Sequence, residues 1–186
     1  MKRGRGGGIL TGGTGDVSPQ FLSFRATQSA ADTTTTTTQA IPTQRLPDQG
    51  KAQVMEVLKI FFIGTNLPTI ASATETQDQI SVFLSTTSFG TTNTTFQESR
   101  VFAGFINSQR GAFTAAGTYA MTQTPYPHVI DTSDGAGHGV LIATDNIFAQ
   151  VQSVGTGATN VADLKLLYRW KNVSLQEYIG IVQSQQ

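Results

Sequence analysis

The residues that could do chemistry in this chain gather in one stretch, Asp131-Thr132-Ser133-Asp134-Gly135-Ala136-Gly137-His138-Gly139. It holds two carboxylates, three glycines and one of the chain's two histidines. Three chemical readings can be tested by spacing. A dinucleotide cradle needs G-x-G-x-x-G after a strand and at the start of a helix, so that phosphate meets helix N–H groups. Here Gly135-x-Gly137-x-Gly139 has the wrong spacing, and a strand pattern follows it. A calcium loop of the EF-hand type needs a Glu at position 12. Counted from Asp131, that position is Ile142. An Asp–His pair for acid–base work needs a nucleophile held by the base, and no G-x-S-x-G elbow occurs. The reading left is a turn, since Asp-Gly and Gly-x-Gly readily take positive φ angles. His128, between Pro127 and Val129, reads as a loop or strand-end residue. The chain has no cysteine, which excludes disulfides, thiolate metal sites and cysteine nucleophiles. No cofactor or metal is expected, and no enzymatic activity.

A second signal is electrostatic. Lys2, Arg3 and Arg5 lie among seven glycines in residues 1–15. Such a segment has little to bury and reads as a flexible basic arm able to neutralise phosphates. Elsewhere charge is scarce. Twelve Lys and Arg balance twelve Asp and Glu, and charged residues make up 13% of the chain, against about 25% in ordinary domains. Cores of protein interfaces are depleted of charge in the same way, so much of this surface is expected to face other subunits. The alternative is a secreted or surface β-sandwich that binds carbohydrate, for which exposed aromatics on one face would be the mark. Trp170 and four tyrosines are available for that. No run approaches the roughly 20 apolar residues of a membrane helix, and the N-terminus lacks the apolar segment of a secretory signal. The sequons at Asn93 and Asn172 read as chance.

The elements that must position these residues are strands. Residues 21–27 read as a first strand. Six threonines, 33–38, place Thr on both faces and suit an edge strand or extended arm, with a low-complexity linker as the alternative. Residues 51–62 read as a long strand with Val54, Leu58, Ile60 and Phe62 on one face and Glu56 as an outlier. Further strands are expected at 80–85, 100–107, 112–121, 140–143, 147–154 and 161–171. Residues 88–97 would be a polar connection, and Arg110-Gly111 a turn. The last strand alternates Leu164, Leu166, Tyr168 and Trp170 against Lys165, Arg169 and Lys171. Ser174-Leu175-Gln176-Glu177 is a capping box, so a helix is expected over about 174–184, burying Tyr178, Ile179 and Val182 against the body or a neighbour. Eight or nine short strands and one terminal helix describe an all-β sandwich, a single jelly roll. Its parts would be an arm, 1–15, a jelly-roll domain, 16–173, and a C-terminal amphipathic helix, 174–186.

Three stretches carry a family resemblance: RLPDQGKAQVMEVLKIFF at 45–62, DGAGHGVLIATDNIF at 134–148 and LLYRWKNVSLQEYIGIVQSQQ at 166–186. They resemble the capsid proteins of small circular Rep-encoding single-stranded DNA viruses, the circovirus-like (CRESS-DNA) group. The resemblance implies two four-stranded sheets face to face. Copies would close into an icosahedral T=1 shell, most simply of sixty subunits, with a basic N-terminal arm turned inward to the genome. The expected partners are the protein itself, circular single-stranded DNA bound without sequence preference, and a host receptor, with no membrane. The expected setting is the virion, assembled inside the host cell, with the nucleus a candidate compartment. Relatives commonly carry long Arg-rich arms, whereas this arm has three charges. Neutralisation would then also fall to inward-facing residues such as Arg25, or the shell would carry less charge compensation than is usual.

Overall fold

The structure is a computed structural model, and it describes residues 18–42, 51–63, 76–111 and 127–185. In chain order the elements are β1 (Gln20–Thr27), β2 (Thr34–Ala40), β3 (Lys51–Ile63), β4 (Thr76–Ser85), β5 (Val101–Gly111), β6 (His128–Asp131), β7 (Val140–Ile142), β8 (Asn146–Val154), β9 (Val161–Ser174) and α1 (Leu175–Ser184). They form two antiparallel sheets. Sheet A runs β1-β9-β3-β6, with β7 also on β3; sheet B runs β2-β8-β4-β5. β9 occupies one edge of β3 along its whole length, so β6 and β7 share the other. β6 pairs Lys59–Phe62 and β7 pairs Met55–Val57. They are two halves of one strand position, interrupted by residues 132–139. Counted that way, each sheet has four positions, in the order that defines a jelly-roll sandwich. The expected fold class is the observed one.

The core lies between the sheets and is built by alternation. On β9, Ala162, Leu164, Leu166, Tyr168 and Trp170 point inward and are buried. Sheet B answers with Ile80, Val82 and Leu84 of β4 and Ile147, Ala149 and Val151 of β8. Each large side chain so buried contributes about 1.5–3 kcal/mol. β2, the run of threonines, is an edge strand of sheet B; Thr is suited to that half-buried place because its branched carbon fits the pleat.

Two expectations need correction. The inward face of β3 is not Val54, Leu58, Ile60 and Phe62 throughout. Its register on β9 shifts between Val57 and Lys59, a bulge that adds one residue and exchanges the two faces. Met55 and Val57 therefore face the core before it, and Ile60 and Phe62 after it. Second, Arg110-Gly111 is not a turn. β4 begins at Thr76, and Arg110 and Gly111 pair with Gln77 and Thr76, which extends β5 to Gly111. The strand expected over 112–121 lies outside the described residues. Of the helix residues expected to be buried, Tyr178 and Val182 pack on the body with Ile181, against Ala52, Val54, Ala143 and Val173, while the body leaves Ile179 55% exposed. The helix rests on the face that holds 178, 181, 182 and 185, and 179 lies one step around from it.

Both ends of α1 are tied. Ser174 Oγ accepts the Glu177 N–H at 3.2 Å, as a capping box requires. At the other end the Gln185 side chain behaves as a strand residue beside β7. Its amide donates to the Leu141 carbonyl at 2.5 Å and accepts the Ala143 N–H at 3.0 Å. One end of the sandwich is closed by a buried polar cluster. Gln28 Oε1 accepts from the Asn160 backbone (2.9 Å) and side chain (2.8 Å), and its Nε2 donates to Thr33 O (2.6 Å) and Ser153 Oγ (2.8 Å). Filling every valence of a buried amide in this way avoids the penalty of an unpaired polar group.

Candidate functional site

The stretch around Asp134 and His138 is an excursion that folds back across the outer face of sheet A. Asp134 organises it. Its Oδ1 accepts the N–H groups of Ala136 (2.9 Å) and His138 (3.0 Å), and Oδ2 lies 3.1 Å from His138 Nδ1. The His138 and Ala136 N–H groups, with the His138 ring, hold the Asp134 carboxyl below its ordinary range. Gly135 and Gly137 have φ values of 80° and 90°. Both side chains of the Asp–His pair are more than half exposed, and every atom of the carboxylate is used to close the loop. The geometry is that of a staple, as the sequence reading of a turn requires.

Beneath the staple lies a group the sequence reading passed over. Glu56, on the outer face of β3, is fully buried. Its Oε2 accepts Arg169 Nε at 2.5 Å, Oε1 accepts the Gly139 N–H at 3.1 Å, and Lys171 Nζ is 3.6 Å from Oε1. Arg169 also donates to the Gly137 carbonyl at 3.0 Å, so it bridges carboxylate and loop. Burial pushes the Glu56 carboxyl up. The bonds from Arg169 and Gly139 and the charges of Arg169 and Lys171 outweigh it, and the group titrates below its ordinary range. The loop also covers the bulge: Thr132 donates its N–H to Leu58 O (3.0 Å) and its hydroxyl to Val57 O (2.7 Å). Gly139 passes so close that a Cβ there would sit 2.0 Å from the Val57 carbonyl oxygen. The one visible sign of this arrangement in the sequence is a lone Glu in an apolar strand. Its partners Arg169 and Lys171 lie more than a hundred residues along the chain.

The rest of the outer face of sheet A is cationic and aromatic. Arg25, the candidate nucleic-acid residue of β1, is exposed there. It makes a two-pronged bond to Asp163, Nε to Oδ1 at 2.6 Å and Nη2 to Oδ2 at 2.9 Å, which raises its pKa further. Lys59 pairs with Asp131 at 3.4 Å. Lys165 stands 4.3 Å over the ring of Phe21. Lys2, Arg3 and Arg5 lie outside the described residues. His128 begins β6, with its ring 4.7 Å from that of Phe105.

The outer face of sheet B is different in kind. Register places Thr34, Thr36 and Thr38 beside Phe148, Gln150 and Gln152, and these beside Ser81, Phe83 and Ser85. None of these residues is charged. Residues 88–97, the expected polar connection, lie across part of this face. Gln150 accepts the Thr94 N–H (3.0 Å) and donates to Thr92 O (2.8 Å), Gln152 donates to Thr94 O (2.8 Å), and Thr36 donates to Gly90 O (2.5 Å). Phe96 meets Phe83 edge-on, ring centroids 5.0 Å apart. Beyond that cover, Val154 and Ile106 stay exposed. Among the described residues no group of three His, Asp or Glu side chains is placed to hold a metal ion.

No protein-family model matches the chain, and no curated protein matches it. Among solved structures it is similar to VP1 of New Jersey polyomavirus, at 8% identity over 84% of this chain and 100% of that one, with a TM-score of 0.44. Merkel cell polyomavirus VP1 in complex with 3′-sialyllactosamine is similar at 9% identity, over 87% and 97% of the two chains, TM-score 0.47. Human polyomavirus 12 VP1, also with 3′-sialyllactosamine, gives 9%, 83%, 100% and 0.42. These neighbours are viral capsid proteins. The fold of the present chain rests on its own strand order.

Proposed function

We propose that the chain is the structural subunit of a viral capsid. Copies self-assemble into a small icosahedral shell, sixty in the simplest case, around circular single-stranded DNA, as in the circovirus-like group that its sequence resembles. The observation that carries this reading is the jelly-roll strand order with one sheet whose outer face bears no charge where β2, β8 and β4 pair. Jelly rolls serve viral shells, lectins and cupins. An uncharged polar face suits repeated contact between copies, because no ion has to be stripped of water or matched with a partner on closure. The three stretches that carry the resemblance bear on the same region: β3, the stapled loop with β7, and β9 with α1. In this reading the protein is structural and carries out no reaction. Residues 1–15 form an arm, 16–173 the jelly-roll body and 174–186 the helical terminus. Lys2, Arg3 and Arg5 meet phosphate together with Arg25, without sequence preference and with an affinity that falls steeply with salt. The protein is a virion component assembled in the host cell.

The test is direct. The full chain is passed down a sizing column and the excluded fraction viewed by negative-stain electron microscopy. Uniform closed particles are expected; a single monomer peak near 19.8 kDa overturns the reading. Deleting residues 2–5 should leave particles intact and lower their nucleic-acid content. Unchanged content would remove the arm from the proposal and leave the shell.

A further inference from the structure

We infer that the outer face of sheet A around Phe21, Phe61 and Lys165 binds single-stranded nucleic acid, with bases stacked on the rings and phosphates held by the lysine and its neighbours. The inference rests on the capsid reading and names the surface of the body that would meet the genome.

Phe21 points out of an edge strand and is 56% exposed. Its register partner on β9 is Leu167, and that of Phe61 is Lys165. The two rings therefore flank β9 diagonally, with centroids 6.4 Å apart and planes tilted 57°. Ile63 and Val129, both more than two-fifths exposed, extend the apolar floor. Ser23, Arg25, Ile63, Asp163 and Lys165 line an open depression beside it. Scattered exposed apolar residues need no explanation, but rings interleaved with cations on one flat face do.

Charge selects the occupant. Arg25 and Lys59 each sit on a carboxylate, Asp163 and Asp131. Arg169 and Lys171 share one, Glu56. Lys165 sits on a ring instead. Cations thus outnumber carboxylates on these outward strand positions, while the outer positions of sheet B at which β2, β8 and β4 pair carry no charge. A polyanion is drawn to sheet A. Stacking needs an unpaired base, which singles out a single strand over a duplex, and a phenyl face accepts every base alike. β1 also follows the basic N-terminal segment directly in the sequence, so arm and face can act on one strand.

The experiment uses the full-length chain in a Lys2→Ala/Arg3→Ala/Arg5→Ala background, so that the arm does not mask the face. Labelled oligo-dT is titrated by fluorescence anisotropy at several salt concentrations, and a duplex of equal length serves as comparison. Phe21→Ala should weaken oligo-dT binding about tenfold with an unchanged salt slope. Lys165→Gln should flatten the slope by about 0.7. Phe21→Ala binding within twofold of its parent, or duplex bound as tightly as oligo-dT, overturns the inference. So does a Phe21→Ala protein that binds oligo-dT normally and no longer forms particles, since the face would then be a contact between copies. Particle formation, scored on the same samples, separates this inference from the capsid reading. Particles with undiminished Phe21→Ala binding leave the shell and remove the face. Tenfold weaker binding without particles in any sample keeps the face and removes the shell.

Discussion

Removing the Glu56 carboxylate should be among the most damaging single changes on the outer surface of this fold. In Glu56→Ala, Arg169 and Lys171 lose their shared anion, and the Gly139 N–H loses its acceptor. Breaking a buried ion pair commonly costs ~3–5 kcal/mol. Both cations are about a quarter exposed, and water reaching them places this case at the low end, about 3 kcal/mol. For a chain of this length that lowers Tm by about 6–12 °C. Glu56→Gln keeps the shape and an acceptor but not the charge, and should cost less. The pH dependence follows from direction. The folded Glu56 carboxyl titrates below its ordinary value of 4.5, so it binds a proton less readily folded than unfolded. Its contribution is fully present above about pH 4.5 and fades as pH falls through the lowered folded value. The Tm gap between wild type and Glu56→Gln should therefore be constant near neutrality and narrow below that point. The assay is thermal unfolding followed by circular dichroism across pH, with hydrogen exchange at the Gly139 amide as a local readout. A Glu56→Ala Tm within 2 °C of wild type, or a Glu56→Gln gap that does not change with pH, refutes the reasoning.

Other perturbations follow from the same contacts. Gly139→Ala sets a Cβ against the Val57 carbonyl; the staple must lift, at about 2 kcal/mol or more, seen as faster exchange of the Ala136 and His138 amides. Gln150→Ala leaves the buried Thr94 N–H without its acceptor, a loss of about 1–3 kcal/mol, and should speed tryptic cleavage after Arg100. Ending the chain after Ser174 uncovers Val54 and Val173 and frees the β7 groups that Gln185 holds. A lowered Tm is expected, and an unchanged one would mean that α1 adds nothing to the body.

The strands that were legible are those whose two faces differ in chemistry. β9 is the clearest case, since every second residue is buried and the intervening ones include Asp163, Lys165, Arg169 and Lys171. The capping box at Ser174 was legible because its geometry is local. β3 was legible as a strand but not in its facing. Its bulge is held by Thr132 and Gly139 from a loop some eighty residues away, and no pattern within 51–63 records that. The Arg110-Gly111 expectation failed for a related reason, because the extent of β5 is set by β4. The acid–base residues that attracted attention, Asp134 and His138, close the loop, and the buried ionic group lies beneath them at Glu56.

The bulge ties these features together. Without it, the even positions of β3 would all share one face, and either Glu56 would enter the core beside Ile60 and Phe62 or those two would leave it. One extra residue at Leu58 keeps Met55, Val57, Ile60 and Phe62 inside and turns Glu56 outward. The same exchange turns Ala52 and Val54 outward, onto a face that water would otherwise reach. Two covers follow as necessities. The stapled loop seals Glu56 and the bulge carbonyls, and α1 seals Ala52 and Val54. β9 shows the result along its outer positions: Asp163 on Arg25, Lys165 on Phe21, Arg169 and Lys171 on Glu56, and Val173 under the helix. Among the described residues, only the Phe21 end of this ladder is left open, since the middle is roofed and the far end is capped. Where sheet A meets another molecule through these positions, it meets it there.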